Sequence, residues 1–194
     1  MSKHKDFLKL FVASLFVIMS TNAYKPWMLK MFEIIELPDS ILEIIPAAIP
    51  AALIALIVIF KFSLLVDKIG RKKAVLISLI CIPVACIIMA FSNFNFYAIV
   101  IGLAALISFT VALDIALQTW TQDLLPPESR AKFLGVINIG RAAGQVPGVL
   151  VAGIVSTHFG TLAIFFVSAL YLLVSIPLFL RVPETLFPTK EESK

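Results

Sequence analysis

Long apolar runs separated by short polar segments dominate the chain, and this pattern predicts helices that cross a membrane. The hydrocarbon core of a bilayer is about 30 Å thick, so a spanning helix needs roughly 20 mostly apolar residues. Six runs reach or approach that length: 7–24, 41–65, 74–91, 96–120, 132–155 and 162–180. None of them alternates between polar and apolar positions as the strands of a membrane barrel do. We therefore expect an all-α membrane protein, with one six-helix bundle over residues 1–194 that ends in a tail at 181–194.

The first apolar run allows a second interpretation. Lys3, Lys5 and Lys9 precede it, and Thr21 and Ala23 are small residues suited to a cleavage site. The start of the chain therefore also resembles a secretory signal. Both interpretations place the N-terminus in the cytosol, so the expected topology of the later helices is the same.

Composition agrees with a membrane protein. The 194 residues are 60% hydrophobic and 14% charged, whereas soluble domains carry about 25% charged residues. The net charge of +4 belongs to basic residues in the connections, so it does not indicate a nucleic-acid partner. The sequence contains no metal-ligand spacing, nucleophilic serine motif or phosphate-binding loop, so we expect neither a cofactor nor a metal, and no enzymatic activity.

Basic residues concentrate in alternate connections between the runs. The basic residues of one side are Lys3, Lys5, Lys9, Lys61, Lys68, Arg71, Lys72, Lys73, Arg130, Lys132, Arg181, Lys190 and Lys194. The other side has only Lys25 and Lys30. Because cytoplasmic connections of membrane proteins are enriched in Lys and Arg, this distribution predicts a multi-pass protein of the cell membrane with both termini in the cytosol.

The connection between the second and third runs carries a motif. Ser63, Asp67, Gly70, Arg71 and Lys72 follow the spacing G/S-x-x-x-D-x-x-G-R-K. This resembles the cytoplasmic loop signature of the major facilitator superfamily, whose first residue is usually glycine. Glycine permits a tight bend, and the aspartate can accept backbone N–H groups or pair with a cation. The alternative is a basic loop that only sets the topology.

Two further stretches resemble the same superfamily. Asp123, Pro126 and Arg130 match its acid–proline–arginine spacing before the fifth helix of a half, and "RVPET" resembles the end of sugar-porter halves. The resemblance implies that five charged residues form ion pairs at the cytoplasmic rim, which hold one state of a gate. These five are Asp67, Arg71, Asp123, Arg130 and Glu184. The alternative is a set of exposed ion pairs worth about 0–1 kcal/mol each.

The resemblance covers nearly the whole chain but only one six-helix half of a twelve-helix transporter. The closing "PET" and the glycine-rich fifth run favour the C-terminal half. The resemblance implies a symporter or antiporter that carries a small polar or charged solute by alternating access. The chain would then be a fragment, half of a split transporter or one protomer of a dimer. Its expected partners are the lipid bilayer, the solute and a second six-helix bundle, from the same or another chain.

Polar residues inside the fourth and fifth runs are the candidate solute or proton site, because intramembrane charge is costly and usually functional. The fourth run has Asp114 and Gln118, and the fifth has Asn138, Arg141 and Gln145 on one helical face. At 1.5 Å per residue, Asp114 and Arg141 lie about 14 and 16 Å from the cytoplasmic ends of their helices. Asp114 is the first candidate, with Arg141 as its partner or as a contact for an anion. The alternative is a purely structural pair between these two side chains.

Gly140, Gly144 and Gly148 form a tandem small-xxx-small stripe on the fifth run. Such a stripe lets another helix approach closely. It supports an alternative function of another class, in which a non-transporting membrane protein binds or regulates a partner through this glycine-rich helix.

Overall fold

The computed structural model describes residues 2–34, 41–92, 95–125 and 130–185. These contain six α-helices and no strand: α1 Ser2–Ile34, α2 Ile41–Ile69, α3 Arg71–Ala90, α4 Phe96–Leu124, α5 Arg130–Phe159 and α6 Ala163–Leu180. Each of the six is long and apolar enough to cross a membrane. The predicted fold class, an all-α membrane protein with six spanning helices, is confirmed.

The first helix extends well beyond its apolar run of 7–24. It continues through Pro26 to Ile34 without a break, and its buried residues include Leu10 and Val17. Ala23, one of the small residues that suggested a secretory signal, is fully buried in the middle of this helix. In this structure α1 is therefore a central element of the bundle, packed against α4, α5 and α6.

The six helices pack as two three-helix repeats of opposite orientation. The first helix of each repeat packs against the second and third helices of the other: α4 against α2 and α3, and α1 against α5 and α6. Exchanging α1–α3 with α4–α6 therefore reproduces the pattern of helix contacts. Because consecutive crossings alternate in direction, corresponding helices of the two repeats run in opposite directions. This is the inverted-repeat arrangement that many transporters share.

The core lies where α1, α3, α4 and α6 meet. Its largest fully buried side chains include Trp120, Tyr24, Phe165 and Phe179. The Tyr24 ring stacks on Phe165, and its hydroxyl shares a 2.8 Å hydrogen bond with Oγ1 of Thr110. This bond satisfies a phenol that would otherwise be costly to bury, and it joins α1 to α4.

The glycine stripe of α5 faces α1. Gly140, Gly144 and Gly148 are all buried. A Cβ added at Gly144 would lie 3.1 Å from Cγ2 of Ile18, and one at Gly148 would collide with the carbonyl oxygen of Met19. The close helix approach therefore takes place within the chain. The alternative function, in which this glycine-rich helix binds another protein, stays a prediction.

We expect Gly148→Ala to weaken the packing of α1 on α5, because the new methyl group meets backbone that cannot rotate away. Overpacking of this kind costs about 1–3 kcal/mol. Chemical unfolding in mild detergent, followed by circular dichroism, should show a lower midpoint for the variant.

The matched control is Gly153→Ala, on the same helix. No atom lies within 4 Å of a Cβ added there, and alanine favours a helix over glycine by up to about 1 kcal/mol. Its midpoint should be unchanged or slightly higher. Equal losses in the two variants would show that close α1–α5 contact is not what requires Gly148.

Candidate functional site

Arg71 joins three helix ends on the side of the bundle where α1 begins and α6 ends. It is the first residue of α3, and it donates from Nη1 to Oδ1 of Asp67 at the end of α2. Its Nε donates over 3.2 Å to Oδ2 of Asp123 near the end of α4. The hydroxyl of Thr185 donates to the same Asp123 oxygen, also over 3.2 Å. The segment that follows α6 therefore shares this network.

Glu184 binds the first turn of α3 through the backbone. Its Oε1 accepts from the N–H of Arg71 at 3.0 Å, and its Oε2 accepts from the N–H of Lys72 at 2.9 Å. The first N–H groups of a helix lack intrahelical acceptors and carry partial positive charge, so a carboxylate there is stabilising. Gly70 precedes this turn with a φ of 97°, and a Cβ on it would meet the Glu184 carboxylate. Only glycine suits both constraints.

Two more contacts hold the segment after α6 in place. The indole Nε1 of Trp120 donates to the carbonyl of Pro183 over 3.2 Å. The ammonium of Lys72 donates to the carbonyl of Leu180 over 2.8 Å. The sequence motifs did not predict these backbone contacts, since any residue supplies a carbonyl group and no pattern marks the one that is used.

Four residues that the loop motifs predicted to meet at one rim lie together in the structure: Asp67, Arg71, Asp123 and Glu184. The side chains of Ser63 and Arg130 lie outside what the structure describes, although Arg130 begins α5. A role for this rim in gating stays a prediction.

The intramembrane polar residues gather around a cavity of about 120 Å³ between α1, α4 and α5. Its lining residues are Phe7, Leu10, Phe11, Ser14, Val17, Ile18, Asp114, Leu117, Gln118, Thr121, Gln122, Ile137, Asn138 and Arg141. Four of the five candidate site residues are among them. The fifth, Gln145, is exposed one turn further along α5 and does not line this cavity. The lining contributed by α1, above all Phe7 and Phe11, was not predicted from the sequence. In an apolar run, these phenylalanines look like ordinary packing residues.

Asp114 and Arg141 share this cavity without a direct ion pair. Within the described part of the chain, no cationic nitrogen lies within 4.0 Å of the Asp114 carboxylate. Asp114 is exposed on the bundle surface and Arg141 is half-buried. A direct ion pair between these two side chains is therefore absent from this structure, and their role in a solute or proton site stays a prediction.

The polar groups of this cavity could form ion pairs and hydrogen bonds with a small molecule. They comprise one carboxylate, one guanidinium and the amides of Gln118, Gln122 and Asn138. Among the residues with described positions, no three His, Cys, Asp or Glu side chains come together to hold a metal ion.

Comparison with known proteins decides the family. The family model of the Major Facilitator Superfamily matches residues 10–194. This chain belongs to the major facilitator superfamily. The resemblance read from the loop motifs is thereby confirmed at the level of the superfamily, and the narrower likeness to sugar porters stays a prediction.

Two relatives of this superfamily chain carry transporter names. An "Uncharacterized transporter" of Buchnera aphidicola subsp. Schizaphis graminum is 28% identical over 115 residues, which cover 59% of this chain and 29% of that protein. The "Putative niacin/nicotinamide transporter NiaP" of Bacillus subtilis is 31% identical over 128 residues, which cover 61% of this chain and 31% of that protein. The chain thus spans about three tenths of the length of the curated relatives it matches. No solved structure matches it.

We expect Glu184→Ala to destabilise this superfamily chain, because the first turn of α3 loses both of its carboxylate acceptors. Loss of a helix cap costs about 0.5–2 kcal/mol. The midpoint of unfolding in detergent measures this cost.

The control is Asp67→Ala at the same rim. The Asp67 side chain is 71% exposed, and exposed ion pairs contribute only about 0–1 kcal/mol. It should lower the midpoint less than the Glu184 change does. The reverse order would mean that the exposed pair, and not the bond to the α3 backbone, holds this rim.

Proposed function

We propose that this chain is one six-helix unit of a secondary transporter, which moves a small polar or charged solute by alternating access. The observation that carries the proposal is the cavity between α1, α4 and α5. Asp114 and Arg141 both line it, and they form no direct ion pair with each other. Ionisable groups of this kind are typical of solute and ion paths. The superfamily and the names of the two relatives also support transport rather than catalysis.

A second six-helix bundle is part of this proposal. Asp114, Gln118 and Asn138 are exposed on the surface of the single bundle, and hydrocarbon cannot solvate a carboxylate or an amide. Water and protein must therefore cover this face in a membrane. The relatives are about three times as long as the segments that match, which leaves room in them for another bundle. For this chain, the second bundle comes from the rest of a longer polypeptide, from another chain or from a second copy.

We infer the orientation and the gate from the same rim. The excess of Lys and Arg on one side supports a cell-membrane protein with both termini in the cytosol. Arg71, Asp123 and Glu184 then lie at the cytoplasmic side, where they tie the starts and ends of helices from both repeats. Breaking contacts at this rim would free the cytoplasmic end for the second bundle to move. The closing "PET" and the glycine-rich fifth helix support the C-terminal half as the part of a transporter that this chain resembles.

Transport is tested with the intact assembly in sealed vesicles. The first solutes are nicotinate and nicotinamide, which the name of the Bacillus relative suggests, followed by a panel of small organic anions, cations and neutral polar solutes. We expect saturable uptake of at least one of them. Gln118→Ala should lower uptake about two- to ten-fold, since one hydrogen bond is worth about 0.5–1.5 kcal/mol.

Gln145→Ala is the matched control, since it is the same substitution at another exposed position outside the cavity. Its uptake should equal that of the unaltered protein. No saturable flux of any solute in the panel would contradict transport, and equal losses in the two variants would contradict the placement of the site.

A further inference from the structure

We propose that the cavity binds a small aromatic organic anion, with its carboxylate on Arg141 and its flat ring beside Phe7 and Phe11. This rests on the proposed transport function, because it names the class of solute that the same site would carry.

The two charged side chains that line the cavity differ in burial. Among the described residues these are Asp114 and Arg141, so the charges of the lining balance. Arg141 is half-buried, whereas Asp114 is exposed on the bundle surface. Because charge interactions strengthen where bulk water is excluded, the half-buried guanidinium attracts a solute of opposite charge more strongly than the exposed carboxylate does.

Arg141 is placed to receive a carboxylate. Its guanidinium is half-buried, and no carboxylate of the described chain lies within 4.0 Å of it. The planar fork of an arginine binds a carboxylate through two parallel hydrogen bonds. Asn138 lies one turn earlier on the same face of α5 and also lines the cavity, so its amide can donate to the same anion.

The wall contributed by α1 suits a flat ring. Phe7 and Phe11 stand one turn apart with ring centroids 6.2 Å apart and ring planes within 22° of each other. Both line the cavity, and a Cβ at Gly140 would collide with the ring of Phe11. The missing side chain at Gly140 therefore lets this ring lie against α5. Aromatic rings pair well with one another in offset and edge-on arrangements.

This bundle supplies only part of the site, since a second bundle is expected to cover the same face. Its cavity measures about 120 Å³, which is less than the roughly 300–1,000 Å³ of sites for drug-sized ligands. A solute with one ring and one charged substituent is the simplest one that meets both Arg141 and the two phenylalanines. Asp114 lines the same cavity and competes with the solute carboxylate for the field of Arg141, so removing its charge should strengthen anion binding.

The probes are benzoate, benzamide, benzylammonium and acetate, titrated by calorimetry into the assembly purified in mild detergent. The first three share a ring and differ in charge, and acetate has the charge without the ring. We expect benzoate to bind at least ten-fold more tightly than any of the other three. Equal or tighter binding of benzamide or benzylammonium would contradict the claim that the site selects an anion. Equal binding of acetate would contradict the claim that it recognises an aromatic ring.

Variants test the residues. Arg141→Gln should weaken benzoate binding at least ten-fold, and Asp114→Asn should strengthen it. Arg181→Gln removes a positive charge at the end of α6, away from the cavity, and should change nothing. If Arg141→Gln does not fold, Asp114→Asn still decides, because weaker benzoate binding in that variant would overturn the assignment.

The two proposals fail in distinguishable ways. Saturable flux of a cation or a neutral solute, together with no binding of benzoate, would contradict the anion site but would agree with the proposed transport function. Binding of benzoate with no flux of any solute in the vesicle panel would overturn transport and leave an anion-binding site.

Discussion

The cost of charged and amide side chains in hydrocarbon is the constraint on which this structure depends. A single Asp or Arg at the centre of a spanning helix costs about 2.5–3.5 kcal/mol on insertion scales, and Asp114 and Arg141 both lie within spanning helices. The bundle meets this cost by placing them around one cavity with three amide side chains. Arg141 is half-buried in it, whereas Asp114, Gln118 and Asn138 stay exposed on its surface. Such a face is compatible with a membrane only beside water and more protein.

One part of the α5 surface packs closely on α1, and another part carries polar residues that line the cavity. From Gly140 to Gly148 the stripe brings α5 against Phe11, Ile18 and the backbone of Met19. The polar face of α5 begins at Asn138 and Arg141 and turns toward α4. One helix thus provides both a close contact within the bundle and half of the candidate site, so the position of Arg141 depends on how closely α1 is packed.

The rim at the ends of the helices ties the two inverted repeats together. α3 belongs to the first repeat, and it receives Glu184 from the segment after α6 while Arg71 reaches Asp123 on α4. Both contacts cross from one repeat to the other. A bundle held in this way moves as one body more readily than it bends internally, as the proposed mechanism of alternating access by rocking bundles requires.

The number of spanning helices and the charges that meet at the rim could be predicted from the sequence, because they follow from the lengths of the apolar runs and from the loop motifs. The helix that packs on the glycine stripe could not be predicted, since small residues indicate a close approach without showing which helix approaches. Glu184 was expected in ion pairs, and its acceptance from two backbone N–H groups 112 and 113 residues away has no sequence signature. Helical spacing placed Gln145 on the face of Arg141, but spacing alone does not show where a cavity ends.

The central claim is that protein covers the polar face of this bundle. Native mass spectrometry of the assembly, released gently from its own membrane, tests it most directly. The chain alone has a mass of 21.3 kDa. The account predicts a larger particle that contains at least one further six-helix bundle, whether from a longer polypeptide, a second copy or another chain. A lone particle of 21.3 kDa would contradict it, because Asp114 and Arg141 would then face lipid with nothing to cover them.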